Sequence, residues 1–409
     1  MTQSRSAGVA GRVKRPATLL LQLMCVIALL VSGTVFAPSA GADPGALQSQ
    51  EWWISRLGLN DAWKISKGAG VTVAVLDSGV KAAVGDLRGV VLPGFDVSGP
   101  GDARTDPDGH GTSMAVEVAG RGTSPGMLGV APAARILPVV VPVQNQDDYT
   151  TTALNRLSGG AHPPQIVNMS YGTAGACPDN LQAAVKKAVD KGMILVASAG
   201  NNGTSSNQSQ APANCAGVVA VGAYGNDLKP WSGSERQSYV GLAGPGVRIV
   251  GYNAATLQTE HYDGTSDAAA IVSGSIALVR SHFPTMPSRQ LVARFIATAR
   301  QFDGAQGSHS DVLGWGAARP HHALTDQVAA NAPNPIYDAL ARVSTGEPSA
   351  PTSSAATAPG GQASTGTGHA ASSSSNTGIV IGIVAAVVVV VLVVIGFALR
   401  QRRRARWVR

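Results

Sequence analysis

Charge is scarce in this sequence, cysteine is scarcer still, and repeated units are absent. Only 13% of the 409 residues are charged against 44% hydrophobic, which excludes a disordered polyelectrolyte and leaves ample material for a core. Three cysteines are too few for a disulfide framework. No internal repeat is found, so stacked-repeat architectures are set aside. No acidic cluster has the spacing of a cation site, and neither a metal nor another cofactor is expected. The net charge of +7 looks like an invitation to nucleic acid, but it is an end effect. Arg5, Arg12, Lys14 and Arg15 stand at one terminus, and Arg400, Arg402, Arg403, Arg404, Arg406 and Arg409 at the other. With these set aside the cations are fewer than the 24 acidic residues, so no DNA or RNA partner is expected.

What the ends do contain is a pair of membrane signals. Residues 1–42 read as a secretory signal, with a basic start, an apolar run from Ala17 to Phe36, and Ala40-Gly41-Ala42 before Asp43. The run is long for a signal, and an uncleaved N-terminal anchor is the alternative. Residues 378–399 form an uncharged apolar stretch that, at about 1.5 Å per residue, crosses a hydrocarbon core of roughly 30 Å as one transmembrane helix. The Arg-rich tail, 400–409, then stays cytoplasmic. The expected localisation is the cell membrane, single-pass, with the body of the chain extracytoplasmic. Residues 343–377 are Ser, Thr, Ala, Gly and Pro with almost no large apolar group, a linker that cannot pack a core. Cys25 leaves with the signal. Cys177 and Cys215 then most simply pair in an oxidising compartment, with two buried thiols as the alternative.

Residues 43–342 remain as the folded domain. Apolar strand-like runs (VTVAVLDSG, RILPVVVP, QIVNMSYG, MILVASAGN and GVVAVGAY) alternate with helical stretches such as LQAAVKKAVDKG and the segment from Ser266 to His282. That alternation predicts an α/β fold: a three-layer domain with a mostly parallel central sheet and helices on both faces.

Three turns carry chemistry. VTVAVLDSGV ends a strand with Asp77, though strand-end acids also bind ribose or metals. DPDGHGTSMAVEVAGR places His110 in a Gly-flanked turn opening a helix, where a capping or loop role is the plain reading. DGTSDAAAIVSG puts Ser266 at another turn-to-helix junction, where serine commonly serves as an N-cap. Together they gain meaning. A hydroxyl nucleophile needs an imidazole to take its proton and a carboxylate to fix the imidazole, and Asp, His, Ser is the chain order of subtilisin.

On these motifs residues 51 to about 330 resemble the subtilisin-like serine proteases, with Asp77 in D-S-G, His110 in H-G-T and Ser266 in G-T-S. The resemblance implies a serine endopeptidase acting on protein or peptide substrates. ILVASAGNNG looks like the family's oxyanion segment, which implies that Asn201 donates to the tetrahedral intermediate beside the Ser266 N–H. IVNMSYG resembles the substrate-pairing strand, so Ser170, Tyr171 and Gly172 are expected to line the cleft. Ser198, Ala199 and Gly200 would wall the opposite side of the first specificity pocket. The closer resemblance is to mycosins, the membrane-anchored proteases of type VII secretion systems. It rests on EWWISRLGLNDAWKISKGAGVTVAVLDSGV, ALVRSHFPTMPSRQLVARFIATAR, GWGAARPHHAL and the order of the terminal segments. It implies cleavage of exported proteins and a place in the secretion membrane complex. A slow or inactive assembly component, or a free-standing surface protease, is the alternative.

The pattern departs from the family after Ser266. Asp267 stands where an apolar residue is usual, Ala270 where proline is expected, and Val116 where glycine is usual in the His110 helix. Glu117, two turns beyond His110, is expected to be a plain surface glutamate. Asp267 is expected to lie beside the nucleophile and to oppose the negative charge of the transition state.

Overall fold

Runs of Val, Ile, Leu and Ala too uniformly apolar for a half-exposed strand make a sheet covered on both faces. The computed structural model describes residues 47–253 and 258–346. In chain order its elements are α1 (Trp53–Arg56), α2 (Leu59–Ile65), β1 (Thr72–Asp77), β2 (Phe95–Asp96), α3 (His110–Ala119) and β3 (Arg135–Val140). Then follow α4 (Gln146–Gly159), β4 (Ile166–Met169), β5 (Thr173–Ala174), α5 (Asp179–Asp190), β6 (Ile194–Ser198), β7 (Gln210–Ala211), β8 (Val218–Tyr224) and β9 (Val240–Pro245). The last are β10 (Ile249–Tyr252), β11 (Thr259–Tyr262), α6 (Thr265–His282), α7 (Ser288–Thr298), α8 (Pro320–Thr325) and α9 (Pro335–Thr345), which runs past 342, the expected end of the domain.

Seven strands pair in the order β2-β3-β1-β4-β6-β8-β9, and every pairing in that sheet is parallel. Two short antiparallel pairs, β5 with β7 and β10 with β11, lie outside it. The predicted α/β sheet is therefore present. The chain steps from β1 to β3 on one side and to β4 on the other, which opens a crevice at the carboxyl ends of these strands. Asp77, Met169 and Ser198 end β1, β4 and β6 at that edge.

Period-two alternation divides the strand residues between two cores. Val73, Val75, Ile166, Val196 and Val219 pack with Met114, Ala115 and Val118 of α3 and Ala268, Val272 and Ile276 of α6. Ala74, Leu76, Val167, Met169 and Leu195 pack with Leu154 of α4 and with Leu181 and Val185 of α5. Helix α6 is buried on all sides from Thr265 to Arg280 apart from Ser266. Its small residues let it sit that deeply. The Cys177–Cys215 disulfide forms, with Cα atoms 5.1 Å apart. It joins the segment after β5 to the segment before β8, on the flank of the crevice.

The signal (1–42), nearly all of the expected linker, the apolar stretch 378–399 and the basic tail lie outside the described residues. Among the described residues no helix is long and apolar enough to cross a membrane.

Candidate active site

Asp77 is the last residue of β1, and its carboxylate is fixed before any histidine is considered. Oδ1 accepts from the Ser78 N–H at 2.8 Å, and the Ser78 hydroxyl accepts in turn from the Gly111 N–H at 3.0 Å. That chain of bonds draws the start of α3 onto the end of β1. Gly111 has to be glycine there, because a β-carbon would come within 2.9 Å of the Asp77 side chain. Asp106, buried just upstream, holds the turn itself by accepting from the N–H groups of Gly109 at 2.7 Å and Thr112 at 2.8 Å. His110 thus opens α3 with its Nδ1 2.8 Å from Asp77 Oδ1 and 3.0 Å from Oδ2. The Asp77 charge, opposed by burial, lifts the His110 pKa to about 9. The hydrogen bond to Asp77 and the charges of Asp267 and Asp108 add to the lift.

Ser266 lies in the first turn of α6, behind an extended Gly264 that serves as the N-cap. Its own role is not capping. The hydroxyl donates to the Ser170 carbonyl at 2.9 Å, while the Ser170 hydroxyl donates to the Ser266 carbonyl at 2.9 Å. The expected Ser–His contact is therefore replaced by a Ser266–Ser170 clasp, although both side chains line one cleft with Asn201, Tyr262, Gly264 and Asp267. Asn201 is oriented by its amide oxygen, which accepts from the Thr265 N–H at 3.0 Å and the Thr265 hydroxyl at 2.7 Å. The amide nitrogen is left for the cleft. A β-carbon placed on Gly264 would lie 3.9 Å from Asn201 Nδ2 and 3.6 Å from the Ser266 nitrogen, so both nitrogens lie near that point.

A third group lies there too. Asp267 Oδ2 would lie 2.9 Å from the same β-carbon. Asp267 is only 3% exposed and Glu117 only 1%, and the two carboxyls hydrogen-bond each other where α3 packs on α6. Glu117 is thus no surface residue: α3 is covered around its whole circumference, so no face was left for solvent. The Ser113 hydroxyl reaches Glu117 Oε1 at 3.4 Å, and no hydroxyl or N–H reaches Oε2. Burial first, then the Asp267 charge, pushes Glu117 well above the ordinary carboxyl range. Burial also raises Asp267, to about 6, against the lowering effects of the Glu117 hydrogen bond and the His110 charge. Both carboxyls are thus pushed toward their neutral forms, Glu117 further than Asp267.

The residues expected to wall the first specificity pocket follow the end of β4 and run through the end of β6. Ser170 is buried under Ser266, Tyr171 turns its hydroxyl inward to Thr150 at 2.9 Å, and Gly172 is exposed. Opposite, Ser198, Ala199 and Gly200 are all buried. Sequence reasoning missed Gln210 and Glu235, whose side chains hydrogen-bond each other between the two walls. It also missed Asp106. A D-P-D-G run before a helix is a capping signal that could have found the latter.

Comparison with known proteins identifies the family. Residues 68–316 match the model of the subtilase family, peptidase S8. Fervidolysin from Fervidobacterium pennivorans is 30% identical over 312 residues, covering 68% of this chain, which spans only 44% of that longer protein. Mycosin-3 from Mycobacterium tuberculosis is 32% identical over 373 residues, covering 73% of this chain and 76% of the mycosin. Among solved structures, the MycP3 protease of the ESX-3 type VII secretion system aligns with a TM-score of 0.61 at 30% identity, over 71% of this chain and 90% of that one. MycP1 with its N-terminal propeptide removed aligns with a TM-score of 0.58 at 29% identity, over 68% of this chain and 98% of that one. The chain belongs to the subtilase family and is a subtilisin-like serine protease related to the mycosins.

Proposed function

We propose that this subtilase is a membrane-anchored, extracytoplasmic serine endopeptidase that cleaves exported proteins and supports a type VII secretion complex. The observation that carries the hydrolytic part is the Asp77–His110 pair at 2.8 Å, in one cleft with Ser266 and the Asn201 amide nitrogen. The anchoring and the secretion role draw on the order of signal, domain, linker, apolar stretch and basic tail, and on the likeness to mycosins.

Chemistry begins when Ser266 releases the Ser170 carbonyl and turns toward His110. Neutral His110 takes the hydroxyl proton as Ser266 Oγ bonds to the scissile carbonyl carbon, while Asp77 holds Nδ1–H and steadies the imidazolium. The resulting oxyanion accepts from the Ser266 N–H and from Asn201. Removing one such donor costs on the order of 10²–10³ in rate. The C–N bond then breaks as His110 passes its proton to the departing amine. Water attacks the acyl-enzyme by the same route and frees Ser266. Two features should slow this sequence: the His110 pKa is lifted to about 9, and the Asp267 carboxyl sits near the nitrogens of Ser266 and Asn201. That second feature also favours an assembly component with slow or lost chemistry.

Fluorophosphonate treatment of the purified protein separates the two. Modification mapped to Ser266 is expected, and an unmodified Ser266 under conditions that label a control subtilisin overturns the protease reading. Deleting the chain from its host should stop export of a secreted substrate, and Ser266→Ala should restore export while leaving that substrate unprocessed. Export that survives full deletion points to a free-standing surface protease.

A further inference from the structure

The strand ends that form the pocket walls are tied together, and the space between them is already filled. Strands β4 and β6 are neighbours, and beyond them the Ser198 hydroxyl donates to the Tyr171 carbonyl at 3.4 Å. Ser266 rests on the Ser170 carbonyl at the mouth of this space. One carboxamide spans it. A β-carbon at Gly172 would come 2.5 Å from Gln210 Oε1, and a β-carbon at Gly200 would come 2.7 Å from Gln210 Nε2 and 2.6 Å from the Glu235 carboxyl carbon. Gly200 is further confined to glycine by its φ of +114°.

The carboxamide is held at its nitrogen end, and the backbone that carries it is held as well. Its nitrogen donates to Glu235, a wholly buried acid, and the Gln210 N–H donates to the Tyr239 hydroxyl at 3.1 Å. That hydroxyl donates onward to the Ala199 carbonyl at 3.5 Å, which ties the filler to the wall itself. The pairing of β7 with β5 fixes the backbone of Gln210 opposite Ala174, two residues beyond Gly172. A bulky substrate side chain could enter only by pushing the carboxamide off Glu235, leaving a buried carboxylate short of its donor, and that costs more than a lost surface bond. A methyl or hydroxymethyl group needs no such displacement, and a serine hydroxyl can donate to Gln210 Oε1.

We infer that Gln210, pinned by Glu235, floors the first specificity pocket and limits the residue before the scissile bond to Ala, Ser or Gly. The inference rests on the protease reading above for the placement of the substrate. It goes beyond that reading by naming the residue that is cut after.

The test uses the full-length protein in detergent and fluorogenic tetrapeptides that differ only at the residue before the scissile bond. Ala and Ser substrates should exceed Leu and Phe substrates at least tenfold in kcat/KM, and Gln210→Gly should reverse that order. A wild-type preference for Leu or Phe, or an order unchanged by Gln210→Gly, overturns the inference. A second measurement needs no turnover and no variant of Gln210. Product peptides ending in Ala and in Phe are titrated calorimetrically against Ser266→Ala protein, and the Ala peptide should bind at least tenfold more tightly. Equal binding overturns the pocket even where Ser266 takes the fluorophosphonate. Selective binding without label supports the pocket and removes the hydrolytic reading instead.

Discussion

Replacing Asp267 with Asn should accelerate this enzyme, and most strongly near pH 7. Only neutral His110 can accept the Ser266 proton, and at pH 7 a group with a pKa of about 9 is neutral in roughly one molecule in a hundred. Asp267 is one of the charges holding it there, so neutralising Asp267 returns base in proportion to the fall in the His110 pKa. The base contribution at pH 7 therefore cannot exceed roughly a hundredfold. The oxyanion contribution adds to it, because a fixed carboxylate beside two oxyanion donors opposes the charge that develops in the transition state. A rise in kcat/KM of at least tenfold is expected, a barrier change of about 1.4 kcal/mol. The assay is kcat/KM from pH 5 to pH 10 on one peptide. The wild-type acid limb should have its midpoint near 9 and that of Asp267→Asn should lie lower. The ratio of the two rates should peak between 6 and 9. It narrows above 9, where His110 is neutral in both proteins. Below 6 it narrows again, because the wild-type Asp267 is itself protonated. Asp267→Met should act in the same sense. Equal rates at pH 7 with identical midpoints would refute the electrostatic reasoning.

Glu117 should act through Asp267. Glu117→Gln keeps a donor to the Asp267 carboxylate and should leave the pH profile in place, whereas Glu117→Leu removes it, raises the Asp267 pKa and should shift the acid limb down; matching profiles in the two variants would reduce Glu117 to a packing role. Stability should fall between pH 5 and pH 9 in calorimetric Tm measurements. Glu51, raised to about 8 by burial, together with Glu117, Asp267 and His110, binds protons more tightly folded than unfolded, so its stabilisation is full below the ordinary pKa and lost as pH rises through the raised one. Glu51→Gln should flatten much of that fall, since at about 1.4 kcal/mol per pH unit the titration of Glu51 alone withdraws several kcal/mol. Cys177→Ser with Cys215→Ser should lower the unfolding free energy measured in urea by about 4 kcal/mol for a 38-residue separation in the chain-entropy model, and a loss below about 1 kcal/mol would contradict that model here. A protease added outside intact cells should release the soluble domain by cutting within 345–377 while a tag after Arg409 stays protected, and early digestion of the tag would reverse the topology.

The five strands expected from apolar runs are all present, because a strand buried on both faces announces itself by composition alone. Strand β9 escaped notice: VGLAGP carries two glycines and ends on proline, and it lies at the edge of the sheet, where such residues are tolerated. Asp77, His110, Ser266 and Asn201 were legible for a local reason, since each needs glycine or threonine neighbours to hold a tight turn. Gln210 had no such neighbours. What makes it matter is its contact with Gly172 and Gly200, and no local pattern reports a contact between segments that far apart. Glu117 was misread because helical spacing tells which residues share a face and not what the face meets. The clue was nonetheless in HGTSMAVEVA, where small and apolar residues surround the glutamate on every side and leave it no route to water.

The acid pair also bears on why the site looks as it does. Two carboxyls buried against each other weaken a fold, and an apolar pair of similar volume in their place would often strengthen it. Here the weakness is placed in the one pocket where a charge can be felt by both the base and the oxyanion donors. It does not disturb the turn that presents Ser266, because Asp267 sits in the first turn of α6, where the helix dipole favours a negative charge. Gln210 and Glu235 act elsewhere, on the fit of the residue before the scissile bond. The pair beside Ser266 should therefore set how fast any accepted peptide is cut, and the filler between the walls should set which peptides are accepted. A protease built this way should be slow because of charge and selective because of shape, and the two properties should be alterable separately.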